Sequence, residues 1–500
     1  MRHWALGLSL ILSLGCPGGS DQSSAGGEIA ADAGAETPPR LVVLISLDTL
    51  RPDRLGAYGH DQFTSPNLDM LAAEGVVFED ANSPAPWTLP AHASMLTGRT
   101  PAGHGVMRSA TTLPKDVPTL ASSLIAAGYE TAAVVSVDWL RQDPYALTRD
   151  FEKFHYQEIP LGRQSINSLV TDKATEWIAA IDQRPLFLFV HYFDLHTDYA
   201  SEPGYEALFV TPYDGIADGT GLQLQKANLP SRYVDFCHAN PGIPSCAIGY
   251  LQVDGSVDRI EFDAADVLHL EQLYDAGIRQ LDTELLRLFA AIRAAGLYDD
   301  TLFIVTSDHG EAFGEHGQYE HYLGLNQEVL RVPLIVRGPT VPRGKRIETP
   351  VSTVDIVPTI LALTGALRIP GVEGLDLTPL WRVGEHDTIT KPYLERSLPG
   401  EASGALQFDA VARPFLPFHR SLRRGRFKLI CDENAKTAQL YDLIDDPGER
   451  IDISAREPLI AAQLLEELEA RELGLNRPPG PTIELDPEEE RRLRALGYVP

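Results

Sequence analysis

Three polar clusters interrupt an otherwise apolar pattern, and between them they supply a cation site and a nucleophile. Asp48 follows the apolar run Leu41–Leu47, and Asp308 and His309 follow the run Leu302–Thr306. Thr88 opens the segment Trp87-Thr88-Leu89-Pro90-Ala91-His92. Open α/β sheets bind ligands outside the carboxyl ends of their strands, so two carboxylates and an imidazole there can converge on one divalent cation. Thr88 would complete the shell. A threonine hydroxyl in contact with a cation loses its proton far more readily than a free one, which makes Thr88 a candidate nucleophile. Pro90 suits a first helical position, so Thr88 is expected at a helix N-terminus whose amides welcome an anionic ester. Each piece has a plainer use: Asp48 or Thr88 as a helix cap, Asp308-His309 as a turn. Their order along the chain favours the metal reading.

Five segments, Ile45–Asp53, Thr64–Phe78, Trp87–His104, Ser307–Gly317 and Leu440–Glu449, resemble the sulfatase family of the alkaline phosphatase superfamily. The resemblance covers nearly everything from residue 40 onward. It implies that Asp48, Asp308 and His309 bind the cation and that Thr88, at the nucleophile position, touches it. The family signature is Cys-x-Pro-x-Arg with a Leu-Thr-Gly-Arg tail, and its cysteine is oxidised to formylglycine. Here Thr88 replaces the cysteine and His92 the arginine, and a threonine cannot be converted in that way. Thr49 stands where the family often has a second aspartate. The set Asp, Thr, Asp, His resembles superfamily branches that use threonine on phosphate esters with manganese or zinc. One cation is therefore expected, manganese or zinc ahead of calcium or magnesium, because an imidazole ligand disfavours calcium.

Other positions follow from the same resemblance. His196 matches a substrate-binding histidine, and His321 falls where sulfatases commonly carry a lysine and could protonate a leaving group. His92, His196 and His321 are thus catalytic candidates beside Thr88, each with a structural hydrogen bond as the plainer reading. The family's Gly-Lys-Trp-His is replaced by Val135-Ser136-Val137-Asp138, so its sulfate-holding Lys and His are missing. His104, His191 and His316 lie near the motifs without an assigned role. A second ion on Asp194, His196 and His321 is the two-metal alternative; their spacing favours one cation. The leading expectation is a metal-dependent hydrolase of phosphate or phosphonate esters acting through a covalent threonine intermediate. A phospho-group transferase, a sulfuric ester hydrolase and a non-catalytic surface binding lipoprotein are the alternatives.

The elements that position these residues are legible in the hydropathy pattern. Leu41–Leu47 is continuously apolar, as a strand buried on both faces of a parallel sheet must be. Similar runs at 131–137, 186–190, 302–306 and 332–336 alternate with helical patterns at 66–75 and 118–128. The expected fold is α/β, a mostly parallel central sheet with helices on both faces. Residues 40–375 form the catalytic domain, and 197–263 break its rhythm as an insert without clear period. Residues 263–296 read as a long amphipathic helix. Residues 376–500 form a small C-terminal α+β subdomain: an antiparallel pair at 426–431 and 438–443, a helix at 458–473 and a charged helical tail at 486–498.

A net charge of −28 argues against nucleic acid and against a polybasic membrane patch; the expected partner, an anionic ester, is what the family resemblance implies. Residues 1–16 read as a signal peptide of lipoprotein type, with Cys16 as the lipidated residue, and 17–39 as a flexible linker. Ser13 is off that pattern, which keeps plain secretion as the alternative. Either way the protein is expected to be exported, to a bacterial periplasm or cell surface, touching a membrane only through that anchor. Cys237 and Cys246 are spaced for a disulfide that spacing alone does not decide; Cys431 reads as a small buried residue.

Overall fold

Every residue of Leu41–Leu47 is buried, and this strand, β1, is the axis of the sheet. The computed structural model describes residues 37–159, 165–240, 259–321, 324–382, 397–401, 418–475, 478–483 and 487. In chain order the strands after β1 are β2 (Val76–Asn82), β3 (Glu130–Val135), β4 (Lys153–Tyr156), β5 (Leu186–Tyr192) and β6 (Thr301–Thr306). A short hairpin follows, β7 (Ala312–Phe313) with β8 (Tyr319–Glu320), then β9 (Arg331–Arg337), β10 (Lys345–Ile347) and β11 (Val351–Ser352). The central sheet runs β10-β2-β9-β6-β1-β5-β3-β4, with β11 beside β2.

All these pairings are parallel except those of β9, which is antiparallel to both β2 and β6. Gly310 and Glu311, just after β6, bond through their amides to Val329 O and Glu328 O, just before β9, so the chain enters β9 from the carboxyl edge of β6. The apolar run at 332–336 marks a buried strand but carries no direction, so its antiparallel sense is a structural finding. Alternate residues of β1 feed two cores. Leu41, Val43 and Ile45 pack with Leu71, Val170, Leu281 and Leu285, whereas Val42 and Leu44 pack with Met95, Leu124 and Ile360. Helices therefore cover both faces, as the uninterrupted hydropathy of β1 requires.

Local signals act as expected at several ends. The 31-residue helix Ala264–Ala294 is opened by a capping box, Asp263 accepting from the Ala265 and Asp266 amides and Asp266 reciprocating. Gly128, at φ 93°, ends the Leu120–Ala126 helix in a conformation that favours glycine. The insert is less irregular than its sequence suggests, since its described part contains helices Pro203–Phe209, Gly221–Asn228 and Ser231–Ala239. Each is under three turns, too short to print a period. Cys237 is disulfide-bonded, while Cys246 lies outside the described residues. So do the leader with Cys16, most of the linker, and nearly all of the 486–498 tail. No described helix is long and apolar enough to cross a membrane.

The C-terminal part is an antiparallel sheet of β12 (Ser397–Glu401), β13 (His419–Arg424), β14 (Phe427–Asp432) and β15 (Thr437–Asp442) in that order. The expected pair is β14 and β15. Leu464 and Leu468 of the helix Pro458–Leu475 cover Leu422, Leu429, Leu440 and the buried Cys431. Buried polar contacts join this sheet to the loop after β6. Lys428 pairs with Glu449 at 2.8 Å with both side chains enclosed, and Glu449 accepts from the Gln327 amide. His316 lies 2.8 Å from Glu328 Oε1 through Nδ1 and donates Nε2–H to Glu449 O at 3.0 Å.

That histidine gives a pH-dependent seam. Its hydrogen bond to Glu328 raises its pKa from 6.5 to about 9. A folded pKa above the unfolded one means that the stabilisation is complete below the unfolded value of about 6.5 and is lost as pH rises through about 9. The His316→Gln variant is expected to be less stable than wild type at pH 6 by about 1 kcal/mol after allowance for partial exposure, and so to melt at lower temperature. The deficit should vanish by pH 10. Melting curves at the two pH values check it, and an equal deficit at both would assign the loss to packing instead.

Candidate metal and nucleophile site

The turn after β1 is held from three sides. The Asp48 amide donates to Tyr192 O at 2.9 Å, and the Leu50 amide to Ser307 Oγ at 2.9 Å. The Thr49 amide reaches Asp308 Oδ1 at 3.3 Å. Thr49 sits at φ 58°, a region that costs a β-branched residue about 1–3 kcal/mol and persists only where the surroundings impose it. Tyr274 imposes it from the long helix, donating to Thr49 O at 2.7 Å and accepting from the Arg51 amide at 3.0 Å. The β6 end is stitched similarly. Ser307 Oγ donates to His309 O at 2.6 Å and the His309 amide to Asp308 Oδ1 at 3.0 Å. Gly310 is needed here because a Cβ would lie 2.2 Å from Glu328 O.

These two turns bring Asp48, Asp308 and His309 together, fully buried, with one ligand atom of each within 4.8 Å of the others. His309 Nδ1–H is committed to Gly310 O at 3.0 Å, which leaves the Nε2 lone pair facing the carboxylates. Nε2 lies 3.3 Å from Asp308 Oδ2 and 3.8 Å from Asp48 Oδ1. Neither of those oxygens has a hydrogen-bond partner. Burial, with Asp308 and then Glu311 as like-charged neighbours, raises the pKa of Asp48 well above the ordinary carboxylate value. Burial likewise raises Asp308, and it lowers His309 to about 4, so the imidazole is neutral. Two enclosed carboxylates with unsatisfied oxygens beside a neutral imidazole nitrogen are what a divalent cation stabilises. The separations suit ligands sharing one cation at about 2.0–2.2 Å from each. The donor set fits the metal that the fold family implies.

Thr88 is the first residue of the helix Thr88–Thr97, and the N-cap is Trp87, whose side chain makes no capping bond. Thr88 is thus not the cap, and Pro90 is the third helical residue, not the first as the sequence suggested. The Thr88 hydroxyl, wholly enclosed, lies 3.5 Å from His309 Nε2. Trp87 is wedged edge-on against Trp139 at 5.6 Å, which in turn meets Tyr145 at 5.0 Å. This aromatic stack fixes the helix start.

His92 lies one turn further along, with both ring nitrogens engaged: Nδ1 at 2.9 Å from Thr88 O and Nε2 at 2.9 Å from Ser46 Oγ. His196 and His321 reach the site through His309. The His321 ring is centred 4.2 Å from His309 and 4.9 Å from His196, which Phe193 stacks upon at 4.7 Å. His321 Nδ1 lies 3.3 Å from Glu311 Oε1. Burial lowers all of these histidines, His196 to about 3, so the cluster consists of neutral imidazoles.

Asp194 is absent from this group. It accepts from Ser165 Oγ and from the Ile166 and Asn167 amides, at the start of the helix Asn167–Ala179. The alternative of a second ion on Asp194, His196 and His321 therefore loses its carboxylate. His104 is also elsewhere, bonded to Ser94 Oγ and the Val106 amide. The sequence reading missed Ser46, Ser136 and Glu311, and placed His191 near the motifs without a role. Ser46 and His191 are register partners on β1 and β5, both buried. The available signal was a polar residue inside each otherwise apolar strand.

Residues 40–366 match the family Sulfatase. The multifunctional alkaline phosphatase superfamily protein PehA of Trinickia caryophylli is 25% identical over 413 residues, covering 69% of this chain and 77% of that protein. The Delta 4,5-hexuronate-2-O-sulfatase of Bacteroides thetaiotaomicron is 24% identical, covering 87% of this chain and 88% of its own. Among solved structures, the phosphonate monoester hydrolase of Agrobacterium radiobacter superposes with a TM-score of 0.64 at 23% identity, over 87% of this chain and 96% of that one. BT4656, in complex with its substrate D-glucosamine-2-N,6-O-disulfate, gives 0.68 at 20% identity, over 88% and 98%. The fold is shared with both. This chain belongs to the sulfatase family of the alkaline phosphatase superfamily and is a sulfatase-family ester hydrolase.

Proposed function

We propose that this hydrolase acts on phosphate or phosphonate esters, with the Thr88 hydroxyl as nucleophile and one divalent cation, manganese or zinc, held by Asp48, Asp308, His309 and Thr88. The carrying observation is the Thr88 hydroxyl, placed at a helix start beside His309 and the two unsatisfied carboxylate oxygens. A cation bound there would acidify the hydroxyl and neutralise charge on the ester oxygens. The backbone amides of Thr88 and Leu89 open the helix and would favour an anionic group there, as helix starts do. His92 fixes the helix start through Thr88 O and Ser46, so its part is positioning.

The chemistry divides into two displacements. With a cation beside it the Thr88 hydroxyl would release its proton to solvent, and Oγ then forms a bond to phosphorus while the bond to the leaving oxygen breaks. The leaving alkoxide takes the proton of one His321 nitrogen while Glu311, whose pKa burial raises well above the ordinary carboxylate value, passes a proton to Nδ1. Water then attacks phosphorus, the phosphorus–Oγ bond breaks to return Thr88, and the proton lost by the water passes through His321 to the Glu311 carboxylate. His196 donates to a non-bridging oxygen. Sulfuric esters are the second reading, supported by the relative named as a 2-O-sulfatase. Formylglycine expels sulfate by collapse to an aldehyde, an exit that a threonine ester lacks, so phospho-esters lead. Residues 1–16 support export with Cys16 as the lipid anchor.

Matched aryl phosphate, phosphonate, phosphodiester and sulfate esters, offered to metal-loaded residues 40–500, test the reading. Phospho-ester turnover with a phosphorylated Thr88 peptide trapped by acid quench is the expected result. Turnover of the sulfate ester alone would overturn it.

A further inference from the structure

His191 is enclosed beneath the metal ligands. Its Nε2 lies 3.2 Å from Asp48 Oδ2, the oxygen that does not face His309. Its Nδ1 lies 3.2 Å from Ser136 Oγ, which is also 2.9 Å from His191 O. The His92 ring packs edge-on against it at 5.0 Å, and Ser46 is its register neighbour. All of these side chains are buried. A neutral imidazole has one N–H. Asp48 Oδ2 accepts, which places that N–H on Nε2, and the one hydroxyl hydrogen of Ser136, donated to His191 O at 2.9 Å, also lies against the Nδ1 lone pair at 3.2 Å. Ser136 itself lies in the Val135–Asp138 segment, whose sequence lacks the lysine and histidine of the family pattern.

We infer that His191 is a positioning residue for the cation site, holding Asp48 by one carboxylate oxygen so that only the other is offered to the metal, with Ser136 fixing the imidazole. This rests on the metal reading above. Thr49 replaces a second acidic ligand on the same turn, so Asp48 is the sole carboxylate contributed by β1 and its orientation decides the shell. A carboxylate pinned through one oxygen binds in monodentate fashion. That suits four-coordinate zinc or octahedral manganese, each taking one oxygen per carboxylate, and disfavours calcium, which takes 6–8 oxygens and readily accepts both from one carboxylate. Groups that orient a ligand from outside the shell typically contribute about 10–100-fold in metal affinity.

The test measures affinity for Mn2+ and Ca2+ by chelator competition in the full chain and in His191→Leu, His191→Gln, Ser136→Ala and Asp308→Asn. His191→Leu should weaken Mn2+ by 10–100-fold while Ca2+ holds or tightens, because Oδ2 is released. His191→Gln, which keeps an N–H donor, should recover part of the loss, and Ser136→Ala should lose less than His191→Leu. Melting curves with and without Mn2+ separate positioning from packing: positioning shrinks the metal-induced rise, whereas a packing defect lowers both curves equally. If His191→Leu fails to fold, the His191→Gln and Ser136→Ala ratios decide alone. Mn2+ and Ca2+ affinities within threefold of wild type in the folded variants overturn the proposal. Wild type and Asp308→Asn binding equally would instead overturn the metal reading on which it rests.

Discussion

Thr88→Ala is expected to lose phospho-ester turnover by about 10⁴-fold or more while still binding the cation. Removing the nucleophile of a covalent mechanism leaves only the contribution of binding and charge stabilisation, which is why the loss is so large. The fold should tolerate the change. The Thr88 hydroxyl makes a single long contact, 3.5 Å to His309 Nε2, and the helix is held by Trp87 packing and by His92 bonding to the Thr88 carbonyl. Loss of the buried methyl and hydroxyl should cost about 1–2 kcal/mol. Asp48, Asp308 and His309 remain to bind the metal, so Mn2+ affinity should fall much less than activity. Thr88→Ser, which keeps the hydroxyl, should retain much of the rate. Steady-state kcat/KM with aryl phosphates, measured beside Mn2+ affinity, checks all three. Residual turnover within tenfold of wild type would mean that water attacks the ester directly and that Thr88 is only a ligand.

The sequence reading and the structure agree where one strong signal decides the outcome. Leu41–Leu47 could only be a strand buried on both faces, and Asp48, Asp308 and His309 meet because β1 and β6 are adjacent and parallel. The long helix begins at Asp263 because that residue caps it. The readings that failed turn on information that no single segment contains. The direction of β9 depends on where residues 307–330 travel. Asp194 looks like a third ligand beside His196, yet the amides of a neighbouring helix claim it. Ser46 and His191 acquire meaning only through register across β1 and β5, and Ser136 only through its contact with His191. Pro90 was read as opening its helix, whereas Trp87 packing starts it two residues earlier.

Asp308→Asn separates the needs of the fold from those of the site. Asp308 Oδ1 accepts from the Thr49 and His309 amides, which an asparagine oxygen can also do, so the two turns should stay stitched. Its Oδ2 has no such partner and lies 3.3 Å from His309 Nε2; in the variant an NH2 group takes that place and presents donors where the cation needs an acceptor. Mn2+ affinity should therefore fall beyond the about 10–100-fold expected of an outer-shell change, and turnover with it. Stability without metal should move the opposite way. The Asp48 pKa is raised above its ordinary 3.8 first by burial and then by Asp308, so the cost of ionising Asp48 in the folded protein grows as pH rises above that value. Removing the Asp308 charge relieves part of that cost. In EDTA the variant should melt above wild type at pH 8 and near it at pH 4, while added Mn2+ should raise only the wild-type curve. Paired melts in EDTA and Mn2+ at both pH values read this directly. A variant less stable than wild type without metal at pH 8 would show that Asp308 is retained for the fold. The opposite result would mean that this enclosed pair of carboxylates is destabilising until the cation binds, a cost carried for catalysis.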